Sequence, residues 1–158
     1  MQIHQLALSV TINELRDGLR AGLEKAKASG QGAGQLDGFT DPDVKVKDGA
    51  LVFSVKKKMG FIPVSLSASV TPKALTDGQG ISLTLNKVNA AGILGGATAA
   101  GALMQQLAAA VAGRPGLSVV GNDLVITKDA LTALPNFAIT GAIKALDVFS
   151  DQIALTIG

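Results

Sequence analysis

Thr11-Ile12-Asn13-Glu14-Leu15-Arg16-Asp17-Gly18-Leu19-Arg20-Ala21-Gly22-Leu23-Glu24-Lys25-Ala26-Lys27 is the stretch on which the fold turns. Its first four residues have capping-box spacing, in which the Thr11 hydroxyl accepts from the Glu14 amide and the Glu14 carboxylate accepts from the Thr11 amide. A helix is predicted to start there. Ile12, Leu15, Leu19, Leu23 and Ala26 recur at helical spacing, while Arg16, Asp17, Arg20, Glu24, Lys25 and Lys27 take the other faces. A single apolar stripe of this kind needs a surface to lie on.

Strands supply it on both sides. Upstream, Ile3, Leu6, Leu8 and Val10 read as a strand with one buried face. Downstream, Gly30, Gly32 and Gly34 stop the helix, and a connection runs through Asp41-Pro42. Val44 and Val46 then alternate with Lys45 and Lys47, Asp48-Gly49 supplies the positive φ angles of a two-residue turn, and Leu51, Phe53 and Val55 resume the alternation. Lys56-Lys57-Lys58-Met59-Gly60 reads as a basic loop or strand end. Ile62, Val64, Leu66, Ala68 and Val70 alternate mostly with Ser, and Pro63 favours an edge or a strand start. A turn at 76–80 leads into Ile81, Leu83 and Leu85, and the whole run is predicted to be an antiparallel meander.

From Ala90 to Ala112 there is no charge, and the composition predicts a second helix buried on most sides, closed by Gly113 and Pro115. Its length would cross a bilayer, but the many Ala and Gly residues and the pair Gln105-Gln106 favour a core helix. Leu117, Val119 and Val120 lead to the turn Gly121-Asn122-Asp123 and a return strand over Leu124–Ile126. A short helical turn over Asp129–Leu134 and two strands, Phe137–Leu146 and Val148–Ile157, complete an α+β chain.

Composition narrows the function. With 158 residues, residues 1–158 are expected to form one domain. Apolar residues make up 47% and charged residues 16%, and the aromatic fraction is 3% with no Trp or Tyr, so the filling is aliphatic. Five Phe residues and a net charge of +2 do not make the aromatic and basic interleaving of a single-strand binder, and no nucleic-acid partner is expected. There is no Cys, so neither disulfides nor thiolate chemistry is available.

Catalytic groups are scarce. His4 is the one histidine and reads as a strand residue, which leaves a His-based relay or metal site without members. Asp41 and Asp43 share a calcium-loop spacing but lack the later oxygen ligands, so they read as a solvated turn. Gly92, Gly95, Gly96 and Gly101 match no phosphate-loop or dinucleotide fingerprint. No enzyme activity, cofactor or metal is expected. The local charge cluster is Lys45, Lys47, Lys56, Lys57 and Lys58, read either as a solvated edge that blocks sheet aggregation or as a contact for anionic lipid headgroups.

The order strand, amphipathic helix, meander, apolar helix and further strands resembles the tubular lipid-binding superfamily. Leu6-Ala7-Leu8-Ser9-Val10-Thr11-Ile12-Asn13-Glu14-Leu15, and Leu134-Pro135 followed by two alternating strands, are similar to small bacterial members. The resemblance covers most of the chain. It implies a curved antiparallel sheet wrapped around a long amphipathic helix, with a second apolar helix and an apolar groove for a lipid or fatty-acyl ligand. On that implication Ile12, Leu15, Leu19 and Leu23 face the sheet, Phe53, Leu66, Leu83 and Ile93 form opposing walls, and Leu103 and Leu107 extend the lining. The alternative is a structural or protein-interaction module, in which the apolar helix packs against another chain as a homodimer or larger oligomer. The N-terminal residues lack the pattern of a secretion signal, so a complete chain is expected in the cytoplasm and a trimmed one outside it.

Overall fold

The computed structural model describes residues 6–29, 38–90, 96–131 and 140–158. The chain is a mixed α+β protein whose strands pair antiparallel in two sheets, neither closed into a barrel. Strand β1 (Leu6–Thr11) leads directly into α1 (Ile12–Ala28). The helix starts where the capping box places it: Glu14 N–H donates to Thr11 Oγ1 at 3.2 Å, and Thr11 N–H donates to Glu14 Oε2 at 2.8 Å. Those two bonds satisfy donors that the first helical turn leaves free.

Strands β2 (Phe39–Lys47), β3 (Ala50–Met59), β4 (Ile62–Ala74) and β5 (Gly80–Ala90) form the expected meander. Asp48 and Gly49 both have positive φ, +52° and +73°, as the two-residue turn between β2 and β3 requires. Helix α2 (Gly96–Val111) follows, then β6 (Leu117–Val120), β7 (Asp123–Thr127), the short α3 (Lys128–Leu131), β8 (Ile143–Val148) and β9 (Gln152–Ile157). The large sheet has the order β2-β3-β4-β5-β7-β6, so the final hairpin inserts its second strand beside β5. The small sheet is β1-β9-β8. It joins the large sheet through the turn between β4 and β5, where Ile143 N–H donates to Gly78 O at 2.9 Å.

β4 carries two prolines although it lies between β3 and β5. Pro63 pairs with Lys58 before β5 pairing begins at Leu66, and Pro72 pairs with Leu83 beyond the last β3 partner, Val70. Each proline therefore falls where β4 has one ladder neighbour, so its missing N–H costs no central hydrogen bond. Gly80 is required for a different reason: a Cβ there would lie 2.3 Å from Ile126 O on β7.

Lys56–Met59, for which the sequence allows loop or strand end, is strand, because β3 continues to its pairing of Met59 with Ile62. Three expectations need correction. Asp41 lies within β2 at a register shift between Thr40 and Asp43, where the ladder absorbs extra residues, and is not in a turn. The apolar helix is buried along one stripe only, with Met104 and Val111 buried, Leu107 half-buried, and Leu103, Gln105 and Gln106 exposed. Its small Ala and Gly residues account for the uncharged run without requiring burial on every side. The last hairpin breaks at Phe149–Asp151 rather than at Asp147, with Phe149 N–H donating to Gln152 O. His4, Ile93 and Phe137 lie outside the described residues. Among those described, no helix is long and apolar enough to cross a membrane.

Candidate functional site

Cross-strand partners point to the same face of a sheet, so the register sorts the large sheet into two surfaces. Reading across β4, the rows Val46, Leu51, Val70, Leu85 and Val44, Phe53, Ala68, Val88 are wholly apolar. So are Val55, Leu66, Ala90, and, beyond the reach of β3, Pro72, Leu83, Leu124, Val119 and Ala74, Ile81, Ile126, Leu117. The opposite face carries Lys45, Val52, Ser69, Lys87 and Asp43, Ser54, Ser67, Asn89, with Lys73, Ser82, Val125, Ser118 further along. One surface is aliphatic from β2 to β6, and the other is dominated by Ser, Thr, Asn and Lys.

Coverage of the apolar face is uneven. Near the small sheet, α1 lays Ile12, Leu15 and Leu19 against Val44, Val46, Leu51 and Phe53, joined by Val148 and Ile153. Val44 is 0% and Leu51 3% exposed. On the other side, α2 packs against β5 and β6. Outside that cluster, Val55, Leu66, Ala68 and Val70 stay half-buried, as does Leu83 on β5, and β8 of the small sheet runs against β4. Of the expected lining, Ile12, Leu15, Leu19 and Phe53 therefore meet in one cluster. Leu66 and Leu83 lie on the same sheet face, Leu23 is half-buried outside the cluster, Leu107 belongs to the α2 stripe, and Leu103 points to solvent.

A cleft of about 510 Å³ opens beside β2, lined by Arg16 and Arg20 of α1 together with Asp41, Asp43, Lys45, Ser54, Lys56 and Ser65. Its cations are already matched. Arg16 Nε donates to Asp43 Oδ1, Lys45 lies 3.8 Å from Asp43, Lys56 lies 3.4 Å from Asp41, and Arg20 lies 4.0 Å from Asp17. Arg16 Nη2 also donates to Val44 O, a carbonyl on the outer edge of β2. The hydrogen bond from Arg16 holds the Asp43 carboxyl below the usual carboxylate range, helped by the Val44 amide. These pairs form a clamp that fixes α1 over the sheet edge, with Asp43 shared between Arg16 and Lys45.

The five lysines do not form one cluster. Lys47 stands next to the β2–β3 turn, whereas Lys56, Lys57 and Lys58 stand at the far end of β3. Eight strand steps, roughly 26 Å at 3.3 Å each, separate Lys58 from Ala50, the partner of Lys47. Lys45 and Lys47 do lie on the edge strand. Lys57 is on the apolar face, where its Nζ sits 4.8 Å from the centroid of the Phe39 ring.

Phe61 escaped the sequence reading, and Ile62 entered it only as the first alternating residue of β4. They sit at the β3–β4 turn, 103% and 69% exposed, separated from the three lysines by Met59 and Gly60. The signal was present as Gly60 before a large apolar residue, but the basic run hid the turn by breaking the alternation of β3. No known protein family, curated protein or solved structure matches the chain.

Proposed function

We propose that this domain binds a long aliphatic ligand, of the lipid or fatty-acyl class, on the apolar face of the large sheet between α1 and α2. The observation that carries it is the half-buried aliphatic band of Val55, Leu66, Ala68 and Val70, which lies outside the α1 cluster and stays short of the burial of Val44 and Leu51. An acyl chain would complete that packing. Each buried methylene contributes about 0.8 kcal/mol, so roughly ten of them exceed the lower range of association costs, about 4 kcal/mol, without any polar contact. In this reading the sheet curls around α1, as in the tubular lipid-binding proteins that the sequence resembles, and the polar Ser and Lys face remains outside. The chemistry asked of the protein is desolvation, for which a row of Leu, Val and Ala is sufficient.

Native mass spectrometry of gently purified protein, followed by organic extraction, tests the proposal. The expected result is a stoichiometric acyl-chain species released from a monomeric mass. An apo mass that stays unchanged after incubation with phospholipids and fatty acids overturns it. Concentration-dependent dimers without lipid would transfer the role of the apolar surface to self-association, using the outer side of α2 at Leu103.

A further inference from the structure

The apex of the β3–β4 hairpin has a composition that folding alone does not require. Gly60, at φ +66°, takes the first central position of a two-residue turn, the one that a type II′ turn reserves for glycine. The next position tolerates most side chains, yet it holds Phe61, followed by Ile62, and these are the two most exposed large apolar residues among those described. Back along β3 come Lys58, Lys57 and Lys56, roughly 7 to 13 Å behind the turn at 3.3 Å per residue. Lys56 and Lys58 lie on the polar face and Lys57 on the other, so positive charge flanks the hairpin on both sides. Between Asp48 and Asp77 the chain contains no acidic residue, and of the three lysines only Lys56 has a carboxylate within ion-pair distance among the described residues.

We propose that this hairpin tip docks on anionic bilayers, with Phe61 and Ile62 entering the boundary between headgroups and acyl chains and Lys56, Lys57 and Lys58 resting against the lipid phosphates. The dimensions fit. Interfacial insertion reaches roughly 5 to 10 Å, which places lysines set back by a similar distance in the headgroup layer. A convex apex with charge on both sides suits a planar anionic surface, whereas in the recessed cleft beside β2 Arg16 and Lys45 face Asp43 and Lys56 faces Asp41. Docking here presents the end of the sheet remote from the small sheet, next to the row Val55, Leu66 and Ala90. Tip docking rests on Phe61 and the lysines and stands whether or not the apolar face carries an acyl chain.

The absence of Trp and Tyr makes a clean test available. Phe61→Trp introduces the sole indole, and Val120→Trp places one at the β6–β7 hairpin, where Val120 is 65% exposed. With vesicles of phosphatidylcholine and phosphatidylserine, Phe61→Trp is expected to shift its emission to the blue and to be quenched by brominated lipid, and with phosphatidylcholine alone it is not. Val120→Trp is expected to stay unchanged with both. Adding Lys56→Gln, Lys57→Gln and Lys58→Gln to Phe61→Trp should weaken vesicle binding roughly a hundredfold, at about fivefold per lysine, with the circular dichroism spectrum retained. A silent Phe61→Trp, equal shifts at both positions, or undiminished binding by the triple lysine variant would each overturn docking through this tip. Extraction of acyl chains from the same proteins without vesicles reads the groove separately.

Discussion

The two ends of the β3–β4 ladder make opposite use of similar side chains. At one end Leu51 packs with Val44, Ile12, Val148 and Ile153 beneath α1 and the small sheet, and only 3% of it is exposed. At the other end Phe61 stands wholly in solvent and Ile62 largely so. Hydrophobicity does not separate them; coverage does. The helix and the small sheet close one end of the apolar face, and along the same strands that closure gives way to a half-buried middle, then to a buried Val64 beside Lys57, and finally to an open tip. Apolar area buried at the first end stabilises the fold, whereas area left exposed at the second is available to a partner.

The largest effect expected from that contrast is on stability. Leu51→Ala should lower the unfolding free energy by about 2 to 5 kcal/mol, because it removes packed side-chain volume from a core that cannot fully collapse. Phe61→Ser, at the other end, should change it by no more than about 0.5 kcal/mol. Urea denaturation of both variants decides the matter, and equal losses would erase the distinction between the two ends.

A smaller effect belongs to the clamp that holds α1 over the closed end. Arg16 lowers the Asp43 pKa in the folded state, so the pair contributes stability above the unfolded carboxylate value of about 3.9, and that contribution is lost as pH falls through the lower folded value. Asp43→Asn should therefore be less stable than the parent near neutrality, by about 1 kcal/mol or less for a partly exposed pair. The two melting temperatures should converge as the solution is acidified below pH of about 4. A difference that persists or grows in acid would assign the effect to something other than this ion pair.

Much of the fold was legible because local chemistry and tertiary pairing agree. Thr11 and Glu14 announce α1, Asp48-Gly49 sets the β2–β3 register, and alternation with Ser in β4 identifies which of its residues share the apolar face. The meeting of Ile12, Leu15 and Leu19 with Phe53 was implied by the family resemblance rather than by those local signals. Other features depend on long-range pairing that periodicity does not encode. The uncharged run gave no hint that α2 would be covered along a single stripe, since Ala and Gly are tolerated on either side of a helix. The order of β6 and β7 follows from which strand pairs with β5. The tip was obscured because three consecutive lysines suspend the two-residue period, although Lys57 keeps its place on the apolar face over the Phe39 ring.

In the proposed function the half-covered band, rather than the closed core or the tip, receives the ligand. Photolabelling with a fatty acid carrying a diazirine near its methyl end, in the absence of membranes, followed by peptide mapping, addresses it directly. Adducts are expected on β3, β4 and β5, at Val55, Leu66 and Leu83, and should be displaced by excess unlabelled fatty acid. Adducts confined to Phe61 or to the outer side of α2 at Leu103, or no displaceable adduct, would contradict the claim.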